Sequence, residues 1–191
     1  MKNEPYAART HEAMKDVLYD PAAAGPAIHY YMIRGGAKKR NITVWDSGQV
    51  GGEYIKTYGH YHLDDFKETY TILAGSGILL LQNRARDQQG APIDDQIDRF
   101  QALVVKPGDS ILIPPYDGHL LVNIGDSWLV TSDNSPFGTD ETAGAPRHAD
   151  YEPVKKMRGF AYYVIEQHGR PALVRNPLYK RVPPASIAPL E

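Results

Sequence analysis

The chain has 191 residues, no cysteine and a formal net charge of −2. That length suits one domain with its own core, and the lack of cysteine excludes disulfides, thiolate catalysis and any Cys-ligated zinc or iron–sulfur centre. The near-neutral balance offers no broad positive field for nucleic acid or an anionic membrane, so any phosphate has to be bound locally.

Residues 1–19 carry no long apolar run, so neither a secretory signal nor a membrane span is expected, and a cytoplasmic setting is. A short helix is predicted from about Thr10 to Leu18, with Thr10 as its N-cap, ended by Pro21-Ala22-Ala23-Ala24-Gly25-Pro26. Ile28 to Ile33 reads as a strand stopped by Gly35-Gly36 and the basic run Lys38-Lys39-Arg40, a solvated face. Short strands then follow quickly: Ile42 to Trp45, Glu53 to Thr57, Thr69 to Leu73 and the unbroken apolar Ile78 to Gln82. Such an unbroken run belongs where both faces of a sheet are covered. Asn83 to Arg99 is polar, with Gly90 and Pro92, and reads as a long hairpin loop. Further strands are predicted at Phe100–Lys106, Ser110–Ile113, His119–Asn123 and Ser127–Thr131. An irregular segment from Asn134 to Asp150 precedes a last hairpin, Phe160–Ile165 with Ala172–Arg175. With 17 Gly and 15 Pro marking turns every eight to twelve residues, the pattern is an all-β sandwich or barrel.

The chemistry concentrates at Gly59-His60-Tyr61-His62 and at Glu68, with a later echo at His119. On a strand, residues two apart share a face, so His60 and His62 aim together while Tyr61 aims away. A hairpin partner is expected to bring the Glu68 carboxylate beside the two imidazoles. Two imidazoles and a carboxylate are the core of a divalent metal site. The turn at Gly108, the corner Pro114-Pro115 and the next strand deliver one more imidazole, His119. Three imidazoles and one carboxylate leave one or two open positions on an octahedral ion, which suits Fe²⁺, Mn²⁺, Ni²⁺ or Co²⁺ and admits Zn²⁺. Thr57 lies three residues before His60, on the wrong face for the site unless a bulge at Gly59 restores it. Gly48 to Gly52 lacks the ending of a P-loop and reads as a tight turn. His11, His29, His148 and His168 are expected in solvent, Trp45 and Trp128 in the core or barrel wall, and Asn123 as a side chain bonding the turn beyond its strand.

These two stretches resemble the two cupin motifs: His60-x-His62, Glu68 and Gly75, then Gly108, Pro114, His119 and Asn123. Thr43 to His62, Glu68-Thr69-Tyr70 and Ile113 to Asp126 further resemble the cupin-type glucose-6-phosphate isomerases of archaea, over roughly residues 40 to 180. The resemblance implies a cupin double-stranded β-helix, a jelly-roll barrel with extra N- and C-terminal strands and little helix. It implies one cupin domain over 1–191, its core at about 40–135 flanked by 1–40 and 150–191. It also implies His60, His62, Glu68 and His119 as metal ligands, with Fe²⁺ or Mn²⁺ the first choices for one ion per chain. Thr43, Thr57 and Gly59 are implied as sugar-phosphate contacts, Tyr70 as an active-site tyrosine, and Glu68 as ligand, base or both. The implied activity is interconversion of glucose 6-phosphate and fructose 6-phosphate by a homodimer. The departures are a gap from His62 to Glu68 one residue shorter, a longer 83–99 segment, and Ser135 where that family carries tyrosine. A non-catalytic sugar- or metal-binding cupin, or another cupin enzyme such as an epimerase or oxygenase, would share the ligands.

Overall fold

The computed structural model describes residues 6–35, 40–63, 65–135 and 149–190. Gly36, Lys38, Lys39, Asp64 and residues 136–148, His148 among them, lie outside the described residues. The chain opens with β1 (Tyr6–Thr10) and one helical turn, α1 (His11–Met14), which tightens into a 3₁₀ turn over Lys15–Val17. The Thr10 hydroxyl caps it by accepting the Ala13 N–H at 3.2 Å, as expected. β2 (Ile28–Ile33) and β3 (Asn41–Trp45) follow, then a small hairpin of β4 (Gln49–Val50) and β5 (Glu53–Tyr54). Its turn residues Gly51 and Gly52 have φ of 58° and 87°, so this stretch is the tight turn its glycines suggest. Next come β6 (His60–His62), β7 (Glu68–Ala74), β8 (Gly77–Arg86), β9 (Pro92–Val105), β10 (Ser110–Ile113), β11 (Gly118–Asn123) and β12 (Leu129–Asp133). The C-terminal region holds β13 (Ala149–Asp150), α2 (Glu152–Lys156), β14 (Tyr162–Gln167), β15 (Arg170–Arg175) and β16 (Ile187–Pro189). Among the described residues no helix is long and apolar enough to cross a membrane.

Eight of these strands form the barrel. β3-β12-β7-β10 lie side by side in one sheet and β6-β11-β8-β9 in another, so that the chain repeatedly crosses from sheet to sheet. That strand order is a jelly roll. β1 and β2 extend the first sheet beyond β3, and β13 and β16 flank the second. A third sheet, β15-β14-β5-β4, carries the C-terminal hairpin. The pleat of the first sheet grades the barrel interior from apolar to polar. Trp45 pairs with Leu129, Thr43 with Thr131, and Asn41 with Asp133, which in turn pairs with Tyr70. The polar end of this gradient is where charged chemistry has partners.

The second sheet is covered on both faces, which accounts for the unbroken apolar run at Ile78–Leu81. Its outer face packs on the C-terminal segment: Phe100 lies 4.7 Å from the Tyr162 ring and Tyr61 6.1 Å from Phe160. Gln82 ties the layers together by accepting the Ala161 N–H at 3.0 Å and donating to Tyr61 and Tyr179. Asn123 is the structural side chain expected of it, donating to Asp46 and Ser127 carbonyls and accepting the Gly125 N–H.

Several expectations are corrected. Asn83–Arg99 is not a loop: β8 and β9 run on as a bulged ribbon, and only Asp87–Ala91 turns. Its polar composition reflects strands that project beyond the barrel and hold together through pairs such as Arg84–Asp94 at 2.7 Å. The last barrel strand starts at Leu129, leaving Trp128 46% exposed, outside the core. Glu53–Thr57 shortens to β5, with Glu53 and Lys56 forming a buried ion pair. β1, α2 and β16 carry no periodicity that marks them along the chain.

His11 and His29 are not solvated ends. His29 is 1% exposed, with its Nε2 2.9 Å from His11 Nδ1, while His11 Nε2 reaches the Ala23 carbonyl at 3.1 Å. Burial, helped by the charges of His11 and Lys56, lowers His29 from 6.5 to about 4. The folded protein therefore refuses a proton that the unfolded chain accepts. Stability is expected to hold above pH 6.5 and to fall as pH drops from there toward 4, by up to about 3 kcal/mol. Urea titrations of the parent and His29→Gln across that window check this: the variant should lose most of the additional slope.

Candidate metal centre

β6 and β11 pair with His60 opposite His119. Upstream, Lys56 pairs with Val122. Four steps on one strand thus face three on the other, and the extra residue is a bulge. Gly59 supplies it with φ of 81°, and a Cβ there would meet Phe160 at 2.9 Å and Leu120 at 3.1 Å. The bulge reverses the facing of the strand between Thr57 and His60. Tyr61 then packs outward against Phe160, and Gly118 is small because the Tyr61 ring lies where its Cβ would be.

Glu68 does not arrive on a hairpin partner of β6. It begins β7 in the facing sheet and reaches the imidazoles across the barrel interior. Glu68 Oε2 lies 3.0 Å from His62 Nε2 and 3.1 Å from His119 Nε2, and His119 Nε2 lies 3.2 Å from His60 Nε2. One ligand atom from each of the four residues falls within 4.8 Å of the others. His62, Glu68 and His119 are buried and His60 is half-buried, so the cluster opens on the His60 side.

Burial works to raise the Glu68 carboxyl, but the charge and hydrogen bond of His119, with His62 and His60 behind it, hold it well below the usual carboxylate range. The second Glu68 oxygen accepts from the Ser135 hydroxyl, so the residue that departs from the resembled family holds the carboxylate in place. Asp133, raised by burial and by Glu68, is held by Asn41 at 2.8 Å and by the Ser135 N–H at 3.0 Å. The Tyr70 ring lies 5.3 Å from His119. Burial, then the charges of Glu68 and Asp133, push its phenol well above its ordinary value, so it remains protonated and is a donor rather than a base.

Thr43 is inward-facing on β3, paired with Thr131. The Thr57 hydroxyl accepts the Leu121 N–H at 3.1 Å, a bond that ties it to β11. Sequence reasoning passes over Tyr151, whose ring stands 5.3 Å from His60. It is delivered by β13, which pairs with β6 through Ala149–His62 and Asp150–Tyr61. No local pattern announces a two-residue strand that far along the chain.

Three imidazoles and a carboxylate converging on one point fit a divalent cation by donor chemistry. A jelly-roll barrel with this donor set at its polar end is a metal-centre barrel of the cupin type. The chain belongs to the glucose-6-phosphate isomerase family: the family model described as "Glucose-6-phosphate isomerase (GPI)" matches residues 2–180. Curated relatives carrying that name include proteins of Pyrococcus abyssi and Pyrococcus furiosus. The first is 33% identical over 72% of this chain and 62% of its own length, the second 33% over 73% and 63%. The chain thus spans somewhat less than two thirds of each. Among solved structures, the Drosophila melanogaster CENP-C cupin domain aligns with a TM-score of 0.38 at 13% identity, over 58% of this chain and 70% of that one. The strand order of the barrel, rather than this distant likeness, carries the fold assignment.

Purified protein incubated with Mn²⁺ and desalted is expected to retain one ion per chain by elemental analysis and to lose it to EDTA. Glu68→Ala should hold far less, because a neutral site of three imidazoles keeps no charge to balance the cation. Retention of no metal by the parent would contradict the assignment.

Proposed function

We propose that this chain is a metal-dependent aldose–ketose isomerase interconverting glucose 6-phosphate and fructose 6-phosphate. The observation that carries the reading is the convergence of His60, His62, Glu68 and His119 at the open polar end of the barrel, within the stretch that matches the isomerase family. The names of the archaeal relatives support the substrate. His60, His62, Glu68 and His119 would hold the ion, with Fe²⁺ or Mn²⁺ the first choices among the divalent ions this ligand set admits. When bound, such an ion supplies Lewis acidity toward the carbonyl and hydroxyl oxygens at C1 and C2 of an open-chain sugar, making the adjacent C–H more acidic.

The chain's own residues supply the rest. Glu68, kept ionised by its imidazole neighbours, takes the proton from one carbon and returns it to the other, moving it between C2 and C1 while the hydroxyl proton passes between the O2 and O1 oxygens. Ser135 fixes the carboxylate orientation during this transfer. Tyr70, kept protonated, donates a hydrogen bond to a sugar oxygen, and Thr43, Thr57 and the Gly59 backbone form further contacts along the sugar phosphate.

Protein loaded with Mn²⁺ or Fe²⁺ and given fructose 6-phosphate should form glucose 6-phosphate, read by a coupled dehydrogenase. Glu68→Gln should lower turnover by at least about 100-fold, the low end of what a general base contributes. If saturating metal restores the rate, Glu68 is a ligand only and the hydrogen moves by another route. A parent that turns over no sugar phosphate, while binding metal, would leave a binding protein or a different cupin chemistry.

The reading extends to a homodimer. β1 and β5 already pair with β2 and β14, so these two strands are not themselves the available surface. The outer face of the first sheet is: Ile33, Leu73 and Leu112 are exposed there beside half-buried Tyr31, Ile42 and Val44. An apolar sheet face of this kind favours a second copy over water. Light scattering at micromolar concentration should give twice the chain mass of 21.3 kDa.

A further inference from the structure

β1 turns Arg9 toward the interior. Ala7 and Arg9 are half-buried while Ala8 and Thr10 are exposed, the alternation of a strand with one covered face. Arg9 pairs with Tyr30 of β2 and donates from Nε to the Tyr30 hydroxyl at 3.1 Å. Its guanidinium carbon lies 5.9 Å from the Tyr30 ring, 5.2 Å from Tyr58 and 5.8 Å from Tyr151. Tyr151 is the ring that stands 5.3 Å from His60. The guanidinium is thus separated from the metal-centre imidazole by no more than those two ring-to-ring steps, on the side where the cluster opens. Arg34, immediately after β2, also acts electrostatically on the Tyr151 phenol, and its Nη2 donates to the Met32 sulfur at 3.6 Å.

Three rings around a cation suffice to hold it. They leave most of its donors unused, however. Among the described residues only Nε of Arg9 is hydrogen-bonded, and the two terminal nitrogens have no acceptor. Burial opposes the charge, but the oxygens of Tyr30, Tyr151 and Tyr58 together more than offset this and the residue stays cationic. A fixed, charged fork with unused donors, facing an open metal centre, is built for an oxyanion. The tyrosines hold it in advance, which reduces the ordering cost on binding. A sugar phosphate that presents C1 and C2 to the metal centre carries its dianion at the opposite end of the carbon chain. A protein of net charge −2 has no diffuse positive field with which to hold that end.

We infer that Arg9, assisted by Arg34, forms the phosphate-recognising wall of the site and sets its preference for phosphorylated over free sugars. This rests on the isomerase reading above, and the test separates the two. In metal-loaded enzyme, Arg9→Gln should raise KM for fructose 6-phosphate about 10–100-fold, the loss of a charge-assisted hydrogen bond, with kcat changed far less. The inhibition constant of inorganic phosphate should rise in parallel, and the ratio of kcat/KM for fructose 6-phosphate to that for fructose should fall by a similar factor. Arg9→Lys should recover some of the loss. Arg34→Gln should show the same pattern more weakly, and it carries the test if circular dichroism shows Arg9→Gln unfolded. Unchanged KM and phosphate inhibition in an active background overturn the inference and leave the isomerase standing. So does an equal loss toward fructose and its phosphate, the mark of a packing role. If the parent isomerises nothing, the functional reading falls, and calorimetric titration with inorganic phosphate decides the question: binding lost in Arg9→Gln supports the wall, while equal binding overturns it.

Discussion

The site depends on one extra residue between Lys56 and His60. Without the bulge, β6 would meet β11 one residue out of register, and every side chain on it would face the other way. His60 and His62 would then point into the outer layer, where Phe160 and Tyr61 now pack, and Tyr61 would enter the barrel. Gly59 makes the bulge possible because its left-handed backbone strains other residues and its missing Cβ leaves Phe160 room. Gly118 has the complementary role on the adjacent strand, where a side chain would collide with the Tyr61 ring that the bulge turns outward.

Holding a carboxylate against three imidazoles in a buried space needs support from both sheets. The second sheet supplies the histidines on adjacent strands, and the first sheet supplies Glu68 from across the interior. Each Glu68 oxygen has a partner, Oε2 toward His62 and His119 and Oε1 toward Ser135, so no acceptor is left buried without a donor. The neighbouring layer of Asn41, Asp133 and Tyr70 continues the polar end, while Trp45, Leu129 and Ile72 fill the other with apolar volume. The barrel thus places its stability and its chemistry at opposite ends.

The segments outside the eight barrel strands also shape the site. The C-terminal hairpin and α2 cover the outer face of the second sheet and extend the hydrophobic core to Phe160, Tyr179 and Val154. Lys56, just before the bulge, is anchored there: its ammonium donates to the Val17 carbonyl at 2.7 Å and to Glu53, and lies 4.9 Å from the Tyr163 ring. This links the N-terminal turn, the third sheet and the strand that carries the histidines. A buried pair of this kind adds little net stability relative to apolar packing, but removing either member would strand a charge. Its position fits a role in setting register, and β1 and β13 bring Arg9 and Tyr151 to the same rim.

The amino-acid sequence by itself determined the all-β class, most strand centres, the capping of the first helical turn and the four residues of the cluster. These are written in local terms: alternation, turn glycines, His-x-His parity and a glycine inside a strand that marks a bulge. It did not determine that Glu68 comes from the facing sheet, that polar residues 83–99 continue as paired strands, or that His29 is buried. Nor did it determine that Arg9, Tyr151 and Ser135 surround the cluster from positions up to 142 residues apart. Those outcomes are set by which strands become neighbours across the barrel. Local patterns report the face a residue presents, whereas only the closed fold decides what stands opposite that face.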